Sequence, residues 1–217
     1  MNEFKATDCI TFGWEMFKKR PWYLIGVLIL SYIPGAIINM LQSHSHALAH
    51  ALFSALSCFV SIAIALLLTR FVLRAHEDLE HLDLKNGWEN LDWNLFWNFF
   101  AASVLVGVVV VLGLILLIVP GIILALMFSQ TIYLVVDRKL GPIEAMKESK
   151  RITDGHKWEL FLLMLLSIGI VILGVVCLFV GLLVAIPVVY LAQVHAYRLL
   201  EGRADAVVPA APATPLN

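Results

Sequence analysis

The residue types able to do chemistry are few in this chain, and their spacing narrows them further. Ser43-His44-Ser45-His46-Ala47-Leu48-Ala49-His50 is the one stretch resembling a metal site. His46 and His50 lie four apart, as two ligands on one helical face would. No carboxylate or cysteine stands beside them, so His44, His46 and His50 form an incomplete shell for structural zinc. A polar loop that happens to hold three histidines is the simpler expectation. Two other polar groups sit inside apolar runs: Gln130, Thr131 and Tyr133 in one, and Gln193 and His195 beside Tyr190 and Tyr197 in another. In a helix bundle such side chains hydrogen-bond across helices or line a recess open to lipid headgroups. Gln130, Tyr133, Gln193 and His195 are therefore the intramembrane candidates, with packing as their plainer role. Ser149 has neither a nearby base nor a nucleophile elbow. There is no Walker loop, dinucleotide fingerprint, paired-carboxylate site or zinc-protease motif. The chain thus makes no positive case for an enzyme, and no cofactor is expected.

The elements that must position these residues are long and apolar. Of 217 residues, 61% are apolar and 14% charged, against roughly half and a quarter in soluble domains. The first run, Trp22–Leu41, is interrupted only by Pro34-Gly35, and a second extends from about Ala51 to Leu73. Phe96–Val136 and Leu160–Leu200 are each too long for one span of about 20 residues. Pro120-Gly121 predicts a turn within the third block, and Phe179–Gly181 one within the fourth. Six transmembrane helices result. In hydrocarbon every backbone polar group must be satisfied internally, and these runs are too long and continuous for barrel strands. The fold class expected is all-α and polytopic, with residues 1–202 forming one membrane domain. The Ala- and Pro-rich segment 203–217 has no apolar period and is read as a disordered tail.

All 15 Lys and Arg fall before the first span, after the second, between the fourth and fifth, or at the end of the sixth and beyond. The other connections carry none, which the positive-inside rule reads as both termini in the cytoplasm. Lys18, Lys19 and Arg20, and Lys147, Lys150 and Arg151, are the basic clusters that could attract anionic headgroups. With a net charge of -1, nucleic acid is not an expected partner. The three cysteines, Cys9, Cys58 and Cys177, supply no disulfide framework.

A threefold pattern runs through the chain. FKKRPWYLI (17–25), LDWNLFWNF (91–99) and GHKWELFLL (155–163) each place a tryptophan where an odd-numbered span begins. The expectation is three pseudo-repeats, about 3–74, 79–136 and 142–200, each an interfacial amphipathic helix followed by a transmembrane hairpin. Leu84, Trp88, Leu91 and Leu95 share one helical face in the second interfacial segment, while Ile10, Trp14 and Phe17 make a weaker stripe in the first. In the third, Pro142 suits a first helical turn after Gly141, and Glu144 suits the positive end of the dipole. Such helices can lie in the headgroup plane with their charges outward.

The segment LLLIVPGIILALMFSQTIYLVVDRKLGPIEAMKESKRITDGHKWEL carries Pro120-Gly121, then Gly141, Ala145, Ser149 and Gly155. It resembles the bacterial YciC-like integral membrane proteins and the membrane part of membrane-anchored glycerophosphodiester phosphodiesterases. That resemblance implies a six-span protein of the bacterial inner (cytoplasmic) membrane. The large soluble phosphodiesterase domain is lacking, so that activity is not carried over. The function expected is noncatalytic support of envelope or lipid homeostasis, by binding membrane lipid or a membrane protein partner, with self-association open. The rival is a transporter or flippase for a small amphiphile, working through a crevice lined by Gln130, Tyr133, Gln193 and His195. A membrane-embedded enzyme, the third class, would need cytoplasmic His, Asp and Glu to converge on a pocket.

Overall fold

In the computed structural model, residues 5–42, 47–77, 92–177 and 181–207 are described, and their regular structure is entirely helical. In chain order the helices are α1 (Ala6–Lys19), α2 (Pro21–Gln42), α3 (Ala47–Glu77), α4 (Trp93–Leu116), α5 (Ile118–Met127), α6 (Thr131–Arg138), α7 (Pro142–Thr153), α8 (Lys157–Val176) and α9 (Leu182–Val207). Six stretches are long and apolar enough to cross a bilayer: Pro21–Ile38, Leu56–Glu77, Trp93–Leu116, Ile118–Arg138, Lys157–Val176 and Leu182–Gly202. The protein is therefore an all-α, polytopic membrane protein. α2 packs on α3, α4 on α5, and α8 on α9.

Local chemistry explains most boundaries, with two departures from the sequence reading. The reversal between α4 and α5 falls at Leu117, whose extended backbone separates two helices, three residues before Pro120. Pro120 sits instead in the first turn of α5, where its missing N–H has no intrahelical partner to lose. Gly121 supplies the close approach: a Cβ there would lie 2.7 Å from the Leu114 backbone nitrogen. The fourth span is also interrupted. Its backbone leaves the helix at Phe128 and re-enters at Thr131, dividing α5 from α6. Pro34 and Pro187, by contrast, are carried inside α2 and α9.

The core lies toward the end of the bundle that carries the charges. Buried apolar residues come from α1, α6, α7 and α9, from the last turns of α3 (Val72, Leu73, Ala75), and from the first turns of α4 (Leu95, Phe96, Phe99) and α8 (Leu160, Leu163). The opposite halves of α4 and α8 leave Leu112, Leu116, Ile172 and Val176 exposed, as a lipid-facing surface requires. α9 is the central helix, touching α1, α2, α3, α7 and α8.

α1 packs against α9 and α8. Its buried face is Ala6, Cys9, Gly13, Met16 and Phe17, rotated from the expected Ile10, Trp14 and Phe17 stripe so that Trp14 is exposed. Gly13 causes the rotation, since its bare Cα lets α1 reach the α9 backbone at Val188 and Ala192. The backbone N–H of Ala6 donates to Glu159 Oε2 of α8 at 3.0 Å, satisfying one of the orphan donors at the α1 N-terminus. α7 starts as expected, with Gly141 as N-cap, Pro142 at its first position and Glu144 in its first turn. It too is docked: Ala145, Ser149, Ile152 and Thr153 are buried. The interfacial stripe at Leu84, Trp88 and Leu91 lies outside the described residues. α9 continues to Val207, inside the segment read as tail, and residues 208–217 lie outside the described part.

Candidate functional site

A recess of about 280 Å³ opens between α2, α3 and α9. α2 contributes residues from Leu24 to Gly35, α3 from Ser61 to Val72, and α9 from Ile186 to Leu191. Small side chains make the space. A Cβ added at Gly35 would meet nothing within 4 Å, and Ser31, Ser61 and Ala65 line the same cleft. Pro187 lies in the α9 wall, where it removes one helical N–H donor.

The polar groups of this lining are largely spent. Ser31 Oγ donates to the Leu28 carbonyl at 2.7 Å, and Ser61 Oγ to the Ser57 carbonyl at 2.7 Å. Their protons are held by their own helices, so the wall presents mainly hydrocarbon. Tyr32 and Tyr190 at the rim are exposed. A cleft of this character suits an apolar chain far better than a hydrated solute.

The four intramembrane candidates are absent from this lining. Gln130 is fully buried at the α5–α6 interruption, where its Nε2 donates to Ser129 Oγ at 3.0 Å and its Oε1 has no hydrogen-bond partner. The Thr131 hydroxyl beside it is also buried and unsatisfied. α7 closes the same break: Ser149 Oγ donates to the Met127 carbonyl at 2.8 Å, with Thr153 Oγ1 3.3 Å from that oxygen. Ser149 thus has a structural partner that its surroundings in sequence did not suggest. Tyr133 stacks on Tyr197, with ring centroids 5.6 Å apart. His195 Nδ1 is 2.9 Å from His76 Nε2 on α3, and Phe12 of α1 stacks on the His195 ring at 3.9 Å. Gln193 is half-buried on α9. Gln130, Tyr133 and His195 therefore fall in three separate places, the α5–α6 break, a tyrosine stack and a histidine pair.

The cytoplasmic ends of α3, α6, α7 and α9, on the orientation read from charge, hold an ionic seam that sequence spacing hid. Arg198 pairs with Asp137 at 2.8 Å, with Glu201 at 3.1 Å and with Glu77. The Tyr197 hydroxyl lies 2.9 Å from Asp137 Oδ2 and 3.0 Å from Glu201 Oε1, with its one proton donated to either, while Arg138 Nε reaches Glu201 at 2.6 Å. Arg198 is thus bonded to protein carboxylates from three helices' ends. Across the seam, Arg138 lies 3.7 Å from Glu148, which Arg151 also engages through a 2.9 Å hydrogen bond. That bond to Arg151 holds the Glu148 carboxyl below its usual range. The carboxylates of the seam cross-link helices and line none of the recess.

Lys18, Lys19 and Arg20 are exposed where α1 hands over to α2, and Lys147 and Lys150 are exposed on α7. Trp22, Trp93 and Trp158 are exposed in the opening turns of α2, α4 and α8, as aromatic anchors at a membrane interface would be. His44 and His46 lie outside the described residues, as does the side chain of His50. Among the described residues no group of three or more His, Cys, Asp or Glu is placed to hold a metal ion. Burial pushes the Cys9 thiol up to about 12, far from the range of a reactive cysteine.

Residues 106–204 match the family described as a protein of unknown function, DUF975. The chain is 32% identical over 112 residues to the uncharacterized protein Rv2560 of Mycobacterium tuberculosis, covering 51% of this chain and 34% of that one. It is 33% identical over 103 residues to the uncharacterized protein Mb2590 of Mycobacterium bovis, covering 46% and 32%. The chain therefore spans about a third of the length of the curated relatives it matches. These matches supply no link to the YciC-like proteins or to the phosphodiesterase membrane part. No solved structure matches the chain. The similarity is to uncharacterised proteins, and the family match runs from within the third span through the sixth, with the interrupted helix and α7 inside it.

Proposed function

We propose that this protein is a noncatalytic, lipid-binding component of a bacterial inner membrane that supports envelope or lipid homeostasis. Its six spans are taken as three hairpins with cytoplasmic termini, and its recess between α2, α3 and α9 as the lipid site. The observation that carries the reading is the recess itself: an apolar cleft among three spans whose serine hydroxyls already donate to backbone carbonyls. Placed in a bilayer, such a cleft fills with hydrocarbon, because no competing polar solute would recover its lost hydration there.

Native mass spectrometry of the protein released gently from its own membrane tests this. A single stoichiometric lipid is expected on the wild type, and its loss is expected in Gly35→Phe, which fills the open space beside Gly35. Equal lipid retention by the two proteins would remove the recess as the site. A discrete protein partner in the same spectra, without bound lipid, would favour an accessory role.

A transporter or flippase for a small amphiphile is the second reading, favoured by the interrupted fourth span with its buried, unsatisfied Gln130 Oε1 and Thr131 Oγ1. Broken helices at membrane depth are found where substrates or ions bind. Purified protein in liposomes carrying a fluorescent lipid on both leaflets separates the two: rapid loss of all fluorescence to an external quencher supports transport, and protection of the inner half supports holding.

A further inference from the structure

The recess has a direction, and its length and surroundings narrow what would fill it. On α2 its lining runs from Leu24 to Gly35, and on α3 from Val72 back to Ser61. Eleven residues of helix rise about 16 Å, which is about half of a ~30 Å hydrocarbon core. The cleft is therefore about as long as one leaflet is deep. Its Leu24 and Val72 end lies toward the charged ends of these helices, because α2 begins at Pro21 and α3 ends at Glu77. Its Gly35 and Ser61 end lies past the middle of the Pro21–Ile38 and Leu56–Glu77 spans. The volume, about 280 Å³, is just below the ~300–1,000 Å³ of drug-sized pockets. It suits one acyl chain and is too small for a whole phospholipid.

Charge stands at the mouth of this cleft. The Leu24 backbone N–H donates to the Arg20 carbonyl at 3.2 Å, so Arg20 is one helical turn from the first lining residue. Lys18 and Lys19 precede it, and all three are exposed. Glu15, exposed one turn earlier on α1, is the nearest acid in sequence and leaves a basic excess. Trp22, exposed beside Arg20, marks the same level as the interface. The second basic cluster differs in position, since α7 contributes nothing to the recess wall.

We propose that the recess takes one acyl chain of an anionic phospholipid from the leaflet on the charged side, with its phosphate-bearing headgroup held by Lys18, Lys19 and Arg20. This rests on the lipid-binding reading above and adds the lipid class, the leaflet and the headgroup contacts. The apolar cleft gives stoichiometry, since only a chain threaded among α2, α3 and α9 is shielded from exchange with bulk lipid. The basic cluster gives headgroup preference. Each basic residue near an anionic surface contributes about 1 kcal/mol, or about fivefold in affinity.

The test uses full-length protein reconstituted into nanodiscs of equal parts phosphatidylcholine and phosphatidylglycerol with identical chains, then read by native mass spectrometry. The wild type is expected to retain one phosphatidylglycerol well above its share of the bilayer. The triple variant Lys18→Gln, Lys19→Gln, Arg20→Gln is expected to keep one lipid while its phosphatidylglycerol preference falls at least about fivefold. The pair Lys147→Gln, Lys150→Gln should leave that preference unchanged. Gly35→Phe, and independently Ala65→Phe, should lose the retained lipid from either source. A wild type that retains one lipid without headgroup preference, or a triple variant that keeps the preference, overturns the anionic assignment and leaves the lipid-binding reading standing. Recess variants that keep their lipid overturn both. Unchanged protection of the buried Cys9 thiol in every variant serves as the folding control.

Discussion

At the α5–α6 interruption, single side chains replace the hydrogen bonds a continuous helix would have made. Ser149 of α7 donates to the Met127 carbonyl, and Thr153 Oγ1, which donates at 2.8 Å to the Ser149 carbonyl, lies 3.3 Å from the same Met127 oxygen. Ser149→Ala is expected to destabilise the protein by about 1–2 kcal/mol, tempered by the longer Thr153 contact. Thermal unfolding in detergent should show the midpoint falling by several degrees, with Ser149→Thr recovering part of it. At Cys9 the thiol is pushed up to about 12 by burial, with Asp8 and Glu159 adding to the shift. At pH 8 its thiolate fraction is of order 10⁻⁴, against about 0.2 for an ordinary cysteine. In a Cys58→Ala, Cys177→Ala background, maleimide should therefore label Cys9 at least ~10³-fold more slowly before unfolding than after it. Ser149 and Thr153 stand out in the sequence as small polar residues on one face of α7. Their partner is a carbonyl more than twenty residues away, which spacing within α7 cannot reveal.

Helix docking sets the next scale. α1 seats on α9 through Gly13, where an added Cβ would lie 2.5 Å from the Val188 carbonyl oxygen and 3.1 Å from the Ala192 nitrogen. Both neighbours are backbone and cannot rotate away. Gly13→Ala is expected to lift α1 from the bundle at a cost of about 1–3 kcal/mol, read as a lower unfolding midpoint and faster labelling of Cys9. Gly107→Ala and Gly169→Ala meet open space and should be neutral or slightly stabilising through helix propensity. An unchanged Cys9 labelling rate in Gly13→Ala would show that α1 is held elsewhere. The α1 helix itself is legible from sequence, but its buried face is not. An apolar stripe finds Trp14, whereas the face actually buried is organised around the absence of a side chain at Gly13.

For the whole molecule, the orientation inferred from charge can be checked directly. In the same cysteine-free spans, Ser43→Cys lies in the connection without Lys or Arg and should react with an impermeant maleimide on intact cells. Lys147→Cys, exposed on α7, should react only after permeabilisation. The reverse pattern would invert the assigned topology and with it the leaflet assigned to the recess. The core concentrated at the charged end also predicts unequal protection. Hydrogen exchange should be slowest in α9 and α6, where most neighbours are protein, and faster at the α4–α5 reversal around Leu117, where flanking residues are exposed.

Six apolar stretches, their approximate ends and the segregation of charge were determined by sequence alone, because the transfer of side chains between water and hydrocarbon depends on composition within about twenty residues. That locality explains why Pro120-Gly121 signalled a reversal but not its placement at Leu117, which depends on how α4 and α5 pack. Gln130 and His195 were recognisable as polar residues in apolar runs, yet sequence could not assign them to separate environments. Tertiary structure alone decided that Arg198 meets Asp137, Glu201 and Glu77, that α7 mends the broken span, and that α2, α3 and α9 leave a recess among them. A cleft is a property of the gaps between helices distant in sequence, and no single segment records its shape.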